Sequence, residues 1–317
     1  MSPFPFPFLN DVRPLILAPA MDDGRILSQS VVTLTDDALA QIEEKLPEIR
    51  AVVTEVEVQS IIYLSDGLKV KGYLLHPREG DDLPCLIVNR GGAGEVGAWT
   101  DSFATAFLAR LARWGYIVVT SQIRGGPGSE GSDEFCGRDI NDALNLIPLL
   151  ESLPRADSSR IGMYGISRGA ITTYCALART DRIAAAIVQA GASDLDVLFQ
   201  HRPDLEEFCA PMIPNYAEDR DAALAQRSAA RWPERLHKKT PILILHGSAD
   251  WRAPPIDALT MALKLYACKH PFRLVFFEGG EHNLFEHFDE AARLIRNWLD
   301  AYVRDRKPIP NMEPHGT

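Results

Sequence analysis

The feature that most constrains the fold is an alternation of short apolar segments with helical stretches, which begins at residue 85. The apolar segments are CLIVN, YIVVTS, RIGMY, AAAIVQ, PILILH and RLVFF, and stretches such as DINDALNLIPLLESL and PIDALTMALKLYA lie between them. Strands that are apolar along their whole length are typical of a parallel sheet with helices on both faces. Because there is no internal repeat and no Gly/Ser-rich linker, we expect one large α/β domain rather than two.

The segment before this alternation predicts different elements. Residues 35–46 predict a helix that begins at Thr35 or Asp36. VTEVEVQSIIYL and LKVKGYLLHP then predict an antiparallel hairpin, with its turn at Asp66-Gly67. The predicted sheet is therefore mostly parallel, with an antiparallel hairpin at its N-terminal side.

Charge and apolar content limit the partners of the protein, and its cysteines indicate the compartment. The formal net charge of −10 argues against a nucleic-acid partner or an anionic membrane, and no apolar run is long enough to span a bilayer. The N-terminal MSPFPFPFLNDVRP does not resemble a signal peptide; its prolines predict an extended arm, so a homodimer joined through this arm stays open. Five cysteines, an odd number with no CxxC pair, predict reduced thiols in a cytoplasmic protein.

The stretch RIGMYGISRGAIT is the most informative local motif. It predicts a strand, the sequence Gly165-Ile166-Ser167-Arg168-Gly169, and then a helix. In this context Gly-x-Ser-x-Gly is typical of a nucleophile held on a tight turn at a helix N-terminus. The bare pattern occurs by chance in roughly one chain in ten of this length, so the prediction needs a base and an acid.

Two later residues supply that base and acid in the expected order. Asp250 follows the strand PILILH and His282 follows RLVFF, so both are predicted at the carboxyl edge of the sheet, where ligands gather. A neutral imidazole takes the serine proton, and a buried carboxylate orients it. We expect His246 to be structural and regard His287 as the reserve base. The sequence therefore predicts a Ser167–Asp250–His282 triad.

From about residue 53 to 306 the chain resembles the α/β-hydrolase catalytic domain of the prolyl oligopeptidase family. The landmarks are DGLKVKGYLLHP, IRGGPGSEGSDEF, SSRIGMYGISRG, PILILHGSADWRAPP and EGGEHN. The resemblance implies Ser167 as nucleophile, Asp250 as acid and His282 as base, with no cofactor and no metal. It also implies that Arg252, two residues past the acid, can bind a substrate carbonyl or carboxylate.

The resemblance also implies a division of the chain. We expect an N-terminal arm and helix over residues 1–50 that form a partial cap, and a catalytic domain over 51–306. Residues 194–239 break the strand–helix alternation and have no clear strand; we expect a lid-like insertion, with an extra surface helix pair as the alternative. Residues 307–317 are expected to form a tail. Family peptidases usually carry a β-propeller that restricts substrates, and this sequence has no room for one.

The chain departs from the family pattern at Arg90-Gly91-Gly92, where many members have a tyrosine or histidine before the two glycines. A tyrosine hydroxyl therefore cannot complete the oxyanion hole. We expect its donors to be the backbone N–H of Arg168 and that of Gly91 or Gly92. Arg90 and Trp251 are further candidates for binding substrate. Four more residues are expected near the mouth of the substrate pocket: Trp99, Phe199, Phe208 and Met212.

Three other classes of function fit the sequence less well. Gly92-Ala-Gly94-Glu-Val-Gly97 fits a dinucleotide fingerprint, but GPGSEG fits it equally, and no acidic residue ends the next strand, IVVTS. A metal hydrolase lacks an HExxH motif and a ligand shell. A non-catalytic binding protein on a hydrolase fold would have no need of all three triad groups.

The expected function is therefore a serine hydrolase that cleaves carboxylic esters or short acyl or aminoacyl amides through an acyl-enzyme. The absence of a propeller favours a carboxylesterase acting on small esters. The alternative is a peptidase of the prolyl oligopeptidase type, either an aminopeptidase or an acylaminoacyl peptidase. The partners expected are a small ester or a short peptide, with no nucleic acid and no membrane.

Overall fold

The computed structural model describes residues 22–316. The predicted proline-rich arm, MSPFPFPFLNDVRP, lies outside the described residues. Nine strands form one sheet: β1 Ile26–Val31, β2 Val56–Ser65, β3 Leu68–Pro77, β4 Leu83–Asn89, β5 Ile117–Ser121, β6 Ala156–Ile166, β7 Ile183–Gln189, β8 Ile242–Gly247 and β9 Phe272–Phe277.

The sheet has the order β1-β2-β3-β5-β4-β6-β7-β8-β9. The pairs β1–β2, β2–β3 and β3–β5 are antiparallel, and every other neighbouring pair is parallel. The six apolar segments of the sequence are the six strands β4 to β9. The α/β-hydrolase fold, with a mostly parallel sheet and an N-terminal antiparallel hairpin, is therefore confirmed.

The predicted hairpin turn is confirmed at Asp66-Gly67, which joins β2 to β3. Both residues have a positive φ, 51° at Asp66 and 77° at Gly67, as a two-residue type I′ turn requires. The turn fixes the register, and Val56 faces Pro77 at the far end of the ladder. Arg124 donates to the carboxylate of Asp66 at 2.7 Å, which ties the turn to the loop after β5.

The helices cover both faces of the sheet. Their bounds are α1 Asp36–Glu43, α2 Ile49–Glu55, α3 Asp101–Phe103, α4 Ala109–Arg113, α5 Ile140–Leu144, α6 Leu146–Glu151, α7 Arg168–Leu177, α8 Leu195–His201, α9 Pro203–Cys209, α10 Arg220–Ala225, α11 Pro255–Ala267 and α12 Phe288–Leu299. π-Helical turns at Ala104–Leu108 and Asp300–Arg304 follow α3 and α12, and short 3₁₀ turns lie at Ala210–Met212, Ala229–Arg231, Pro233–Arg235 and Phe285–His287. Buried side chains form two apolar clusters, one on each face of the sheet.

The predicted helix over 35–46 is α1, and Thr35 caps it by accepting the N–H of Ala38 at 3.2 Å. It ends at Glu43 because Pro47 disfavours a helical backbone at the residue before it. Residues 194–239, called the insertion below, contain α8, α9, α10 and three short 3₁₀ turns but no strand, and their role as a lid stays a prediction. The boundaries at 50 and 306 stay predictions. None of the helices within residues 22–316 is long and apolar enough to cross a membrane.

Candidate active site

Ser167 lies on the turn between β6 and α7, with φ 55° and ψ −123°. A non-glycine residue in this backbone conformation is strained, and such strain is typical of a nucleophile that must stand clear of the sheet. A Cβ at Gly165 would collide with the carbonyl oxygen of Gly169, and a Cβ at Gly169 would collide with that of Asn89. Both glycines are therefore required by the close approach of neighbouring backbone.

The structure brings the three predicted triad residues into one hydrogen-bonded chain. The Ser167 hydroxyl donates to His282 Nε2 at 3.0 Å, and His282 Nδ1 donates to Asp250 Oδ2 at 2.8 Å. Asp250 and His282 are 3% and 5% exposed, so water competes little with either hydrogen bond. The sequence separation of Ser167 and His282 is 115 residues, and the parallel strand ends are what bring them together.

The Asp250 carboxylate makes four hydrogen bonds. Oδ1 accepts the backbone N–H groups of Arg252 at 2.8 Å and Ala253 at 3.0 Å. Oδ2 accepts His282, and His246 Nε2 lies 3.3 Å from the same oxygen. Burial acts to raise the pKa of Asp250, but the hydrogen bonds from His246 and His282 outweigh it and hold this pKa well below its usual range. Asp250 therefore stays ionised.

His246 is the contact that sequence reasoning missed. It ends β8, is fully buried, and its Nε2 also lies 3.2 Å from the carbonyl oxygen of Ala253. Its Nδ1 is buried without a partner among residues 22–316, so the proton is on Nε2, which faces two acceptors, the carbonyl oxygen of Ala253 and Asp250 Oδ2. The spacing of four residues in HGSAD was the available signal. The reserve base His287 lies outside this network, with Nε2 3.0 Å from the carbonyl oxygen of Glu278.

The Gly91-Gly92 backbone passes close to Ser167. A Cβ at Gly91 would lie 3.1 Å from Ser167 Cβ and 3.7 Å from Ser167 Oγ. Within residues 22–316, no acceptor takes the backbone N–H of Arg168, Gly91 or Gly92. These are the donors that the sequence predicted for the oxyanion hole, and they remain available to a substrate.

Arg90 borders the cavity beside Ser167, but its guanidinium is engaged inside the protein, and its contact with substrate stays a prediction. Arg90 is 1% exposed and donates to the carbonyl oxygens of Gln122 at 3.1 Å, Val96 at 3.1 Å and Gly94 at 2.7 Å. Burial lowers the pKa of Arg90 to about 10. The GxGxxG loop thus turns carbonyl oxygens inward onto an arginine, and a phosphate needs N–H donors there instead. This geometry disfavours the dinucleotide alternative.

The side chain of Arg168 fixes the same loop from the other side. It donates to the carbonyl oxygen of Gly92 at 3.0 Å, to Asp133 at 2.6 Å and to Asp139 at 2.9 Å. Burial would lower the pKa of Arg168, but Asp139 and Asp133 raise it well above its ordinary value. Arg168 therefore connects the two backbone segments from which the expected oxyanion donors come, its own and that of Gly91-Gly92.

A cavity of about 570 Å³ opens beside Ser167 and His282. This volume is within the usual range for small-ligand sites. This cavity, called the first cavity below, is bounded on one side by the insertion. The insertion residues in its wall are Leu198, Arg202, Asp204, Leu205 and Phe208. Its remaining walls include Trp99, Phe103, Phe135, Ile171, Trp251 and Arg252.

Two of the predicted mouth residues are placed elsewhere. Phe199 is fully buried and packs against Phe135, because it faces the core side of α8. Met212 packs against the same core cluster and does not line the cavity. Trp99, Phe208 and Trp251 do line it, as expected.

Two arginines flank Trp251 at the mouth of the cavity. The guanidinium carbons of Arg202 and Arg252 lie 4.8 Å and 5.5 Å from the centroid of its ring. Asp204 neutralises Arg202 through hydrogen bonds of 2.8 and 2.6 Å. No carboxylate among the described residues lies within ion-pair distance of Arg252, so its charge faces the cavity. The described residues also contain no group of three or more side chains arranged to hold a metal ion.

Comparisons with known proteins agree with this geometry. Residues 99–306 match the sequence profile described as the prolyl oligopeptidase family. The "Uncharacterized peptidase YtmA" of Bacillus subtilis is 26% identical over 255 residues, a match that spans 79% of this chain and 95% of YtmA. "Dipeptidyl-peptidase 5" of Porphyromonas gingivalis is 28% identical over 76% of this chain and 37% of its own length.

The solved acylaminoacyl peptidase of Pyrococcus horikoshii has the same fold, with a TM-score of 0.68 at 21% identity. The match covers 81% of this chain and 43% of that protein. The chain thus spans about two fifths of several relatives and nearly all of YtmA. These relatives are named as peptidases, so the comparisons support the peptidase alternative better than the carboxylesterase expectation.

Proposed function

Because the chain belongs to the prolyl oligopeptidase family, we propose that this serine hydrolase is a peptidase that cleaves short, N-terminally blocked peptides. The observation that carries the proposal is the hydrogen-bonded chain from Ser167 through His282 to Asp250, open to an apolar cavity. Such a chain activates a hydroxyl for attack on an amide carbonyl and returns the proton to the leaving amine.

The proposed mechanism uses only groups of the site. His282 takes the Ser167 proton as Oγ attacks the carbonyl carbon, and Asp250 stabilises the imidazolium. The backbone N–H groups of Arg168 and of Gly91 or Gly92 bind the oxyanion. His282 then protonates the leaving nitrogen, and a water molecule activated by the same imidazole hydrolyses the acyl-enzyme.

The charges at the cavity mouth support a blocked amino terminus. Asp204 is the acidic residue in the cavity wall, and Arg202 neutralises it. Arg252 leaves a positive charge there, which repels a free ammonium group and attracts a carbonyl oxygen or carboxylate. Aminopeptidase activity would need an unpaired carboxylate in the same position, so acylaminoacyl substrates fit better.

The test compares three substrates that share a leucyl residue at the scissile carbonyl. They are acetyl-leucyl p-nitroanilide, leucyl p-nitroanilide and acetyl-leucyl p-nitrophenyl ester. We expect acetyl-leucyl p-nitroanilide to be cleaved with a higher kcat/KM than leucyl p-nitroanilide. Ser167→Ala should lower kcat by about 10⁴-fold or more. Cleavage of the ester alone would establish the carboxylesterase instead, and preference for the free amine would establish an aminopeptidase.

A further inference from the structure

A second cavity of about 160 Å³ lies between the π-helical turn Ala104–Leu108 and helix α12. Its wall is almost entirely apolar, with aromatic rings contributed from both sides: Phe103, Phe107, Trp114, Phe285 and Phe288. Arg110 is the charged side chain in the wall. Its guanidinium carbon lies 4.4 Å from the centroid of the Phe288 ring, and its Nε forms an ion pair with Glu48 Oε1 at 3.5 Å. The second cavity therefore offers an apolar surface and no charge for a ligand.

The second cavity adjoins the first. Phe103, Ile166 and Asn283 line both cavities. A row of rings continues from one to the other, with Trp99 and Phe103 at 5.1 Å between centroids and Phe103 and Phe107 at 5.9 Å. Phe107 lies in the π-helical turn and Phe103 directly precedes it, and π turns inside helices are frequent at functional sites.

The second cavity lies on the side of the site from which a leaving group departs. Asn283, Leu284 and Phe285 in its wall directly follow His282. In acyl transfer the general base becomes the acid that protonates the leaving atom, so the leaving group is next to this imidazole. The insertion, by contrast, lines only the first cavity, on the other side.

The size of the second cavity matches one ring. An apolar cavity of about 150 Å³ stays dry and binds benzene. At about 160 Å³ the second cavity can hold a benzene-sized group without rearrangement of its wall.

We propose that the second cavity is a subsite for the leaving group, which binds an aromatic or bulky apolar side chain on the amine side of the scissile bond. The proposal rests on the proposed function, because it assigns the two cavities to the two halves of one substrate. An apolar ring bound there increases kcat/KM by lowering the energy of the transition state relative to free enzyme and substrate.

The experiment holds the acyl half constant and varies the amine half. Acetyl-leucyl-phenylalaninamide and acetyl-leucyl-glycinamide are compared by chromatographic detection of the released amine. We expect wild type to favour the phenylalaninamide substrate by about 10-fold or more in kcat/KM. Ala292→Phe fills the second cavity from a half-buried position on α12, and should remove this preference while leaving the glycinamide substrate within about twofold.

Two further variants guard against a trivial explanation. Ala267→Phe adds the same ring at an exposed position of α11 and should keep the wild-type preference. Phe285→Ala removes a ring that is 71% exposed, so it should fold normally and still weaken the preference. Equal kcat/KM for the two substrates in wild type, or a preference retained in both Ala292→Phe and Phe285→Ala, would overturn the proposal.

Failure of the proposed function gives a different result. If wild type cleaves neither amide, binding of phenylalaninamide and glycinamide to Ser167→Ala is measured by calorimetry. Tighter binding of phenylalaninamide that Ala292→Phe abolishes supports the subsite independently of amide cleavage. Equal or absent binding of the two amines overturns it.

Discussion

At the scale of single residues, the site depends on how the lone pairs of Asp250 are used. Two backbone N–H groups hold Oδ1, and two imidazoles approach Oδ2. A carboxylate restrained in this way cannot rotate away from His282, and its negative charge is already present when the imidazolium forms. This preorganisation is what electrostatic catalysis requires.

Replacing His246 tests this arrangement. His246→Phe removes one donor from Asp250, and a hydrogen bond to a charged group contributes about 1.5–3 kcal/mol, so kcat should fall about 10-fold or more. His246→Gln keeps an N–H near the position of Nε2 and should restore much of the loss. Because the depressed pKa of Asp250 rises toward its unfolded value in the Phe variant, the stability lost on acidification below about pH 4 should be smaller than in wild type.

Urea unfolding at a series of acidic pH values measures that stability change. Equal kcat in wild type and His246→Phe would show that the contact with Asp250 has no part in catalysis. A Gln variant as impaired as the Phe variant would indicate lost packing rather than a lost donor.

Gly91 gives a second prediction at this scale. Gly91→Ala places a Cβ 3.1 Å from Ser167 Cβ and displaces the loop that carries the expected oxyanion donor. Loss of one such donor typically lowers kcat by about 10²-fold or more. Gly94→Ala is the control, since its Cβ meets open space and its φ of +55° costs about 1 kcal/mol of stability only. Similar kinetics in the two variants would contradict the role of Gly91.

At the scale of elements, the insertion is anchored to α11 by one buried carboxylate. Asp257 is 1% exposed and accepts the N–H of Ser193 at 2.8 Å and, at 3.4 Å, that of Asp194, where α8 is capped. Burial raises the pKa of Asp257 to about 6, although the hydrogen bonds from Ser193 oppose the change and the charge of Asp194 adds to it. The wall of the first cavity is thus attached through a group that titrates near neutrality.

This pKa predicts how stability depends on pH. Between about pH 4 and pH 6 the unfolded chain has lost the Asp257 proton while the folded protein still holds it. The contribution of Asp257 to the free energy of unfolding therefore falls as pH rises, by about 3 kcal/mol in total. Asp257→Asn should remove this slope, as measured by urea unfolding from pH 4 to 7. An unchanged slope would contradict the assignment.

The sequence predicted the elements well because their signals are local. The apolar strands, the Asp66-Gly67 turn and the Gly165-to-Gly169 motif are each contained in a few consecutive residues. The order of Ser167, Asp250 and His282 then followed from the topology that the strands predict. The side-chain partners of Arg90 and Arg168 could not be predicted, because their contacts reach Gln122, Asp133 and Asp139, far away in sequence. The second cavity was missed for the same reason.

At the scale of the whole molecule, stability comes from the two apolar clusters, and one prediction separates stability from chemistry. Trp298 in α12 is 5% exposed and packs against Tyr302 at 4.7 Å between centroids. Trp298→Ala should lower the free energy of unfolding by about 3–5 kcal/mol. Leu263→Ala, at a side chain 69% exposed, should change it by less than about 0.5 kcal/mol. Urea denaturation distinguishes the two, and equal losses would contradict this account of the core.

The separation of Ser167 and His282 has a consequence for how the enzyme is made in the cell. Ser167, the proposed nucleophile, leaves the ribosome 115 residues before His282, its proposed base. At synthesis rates of about 5–20 residues per second, this is a delay of roughly 6 to 23 seconds. During that interval Ser167 has no imidazole to activate it, so the nascent chain should not hydrolyse substrates until His282, which follows β9, has been translated.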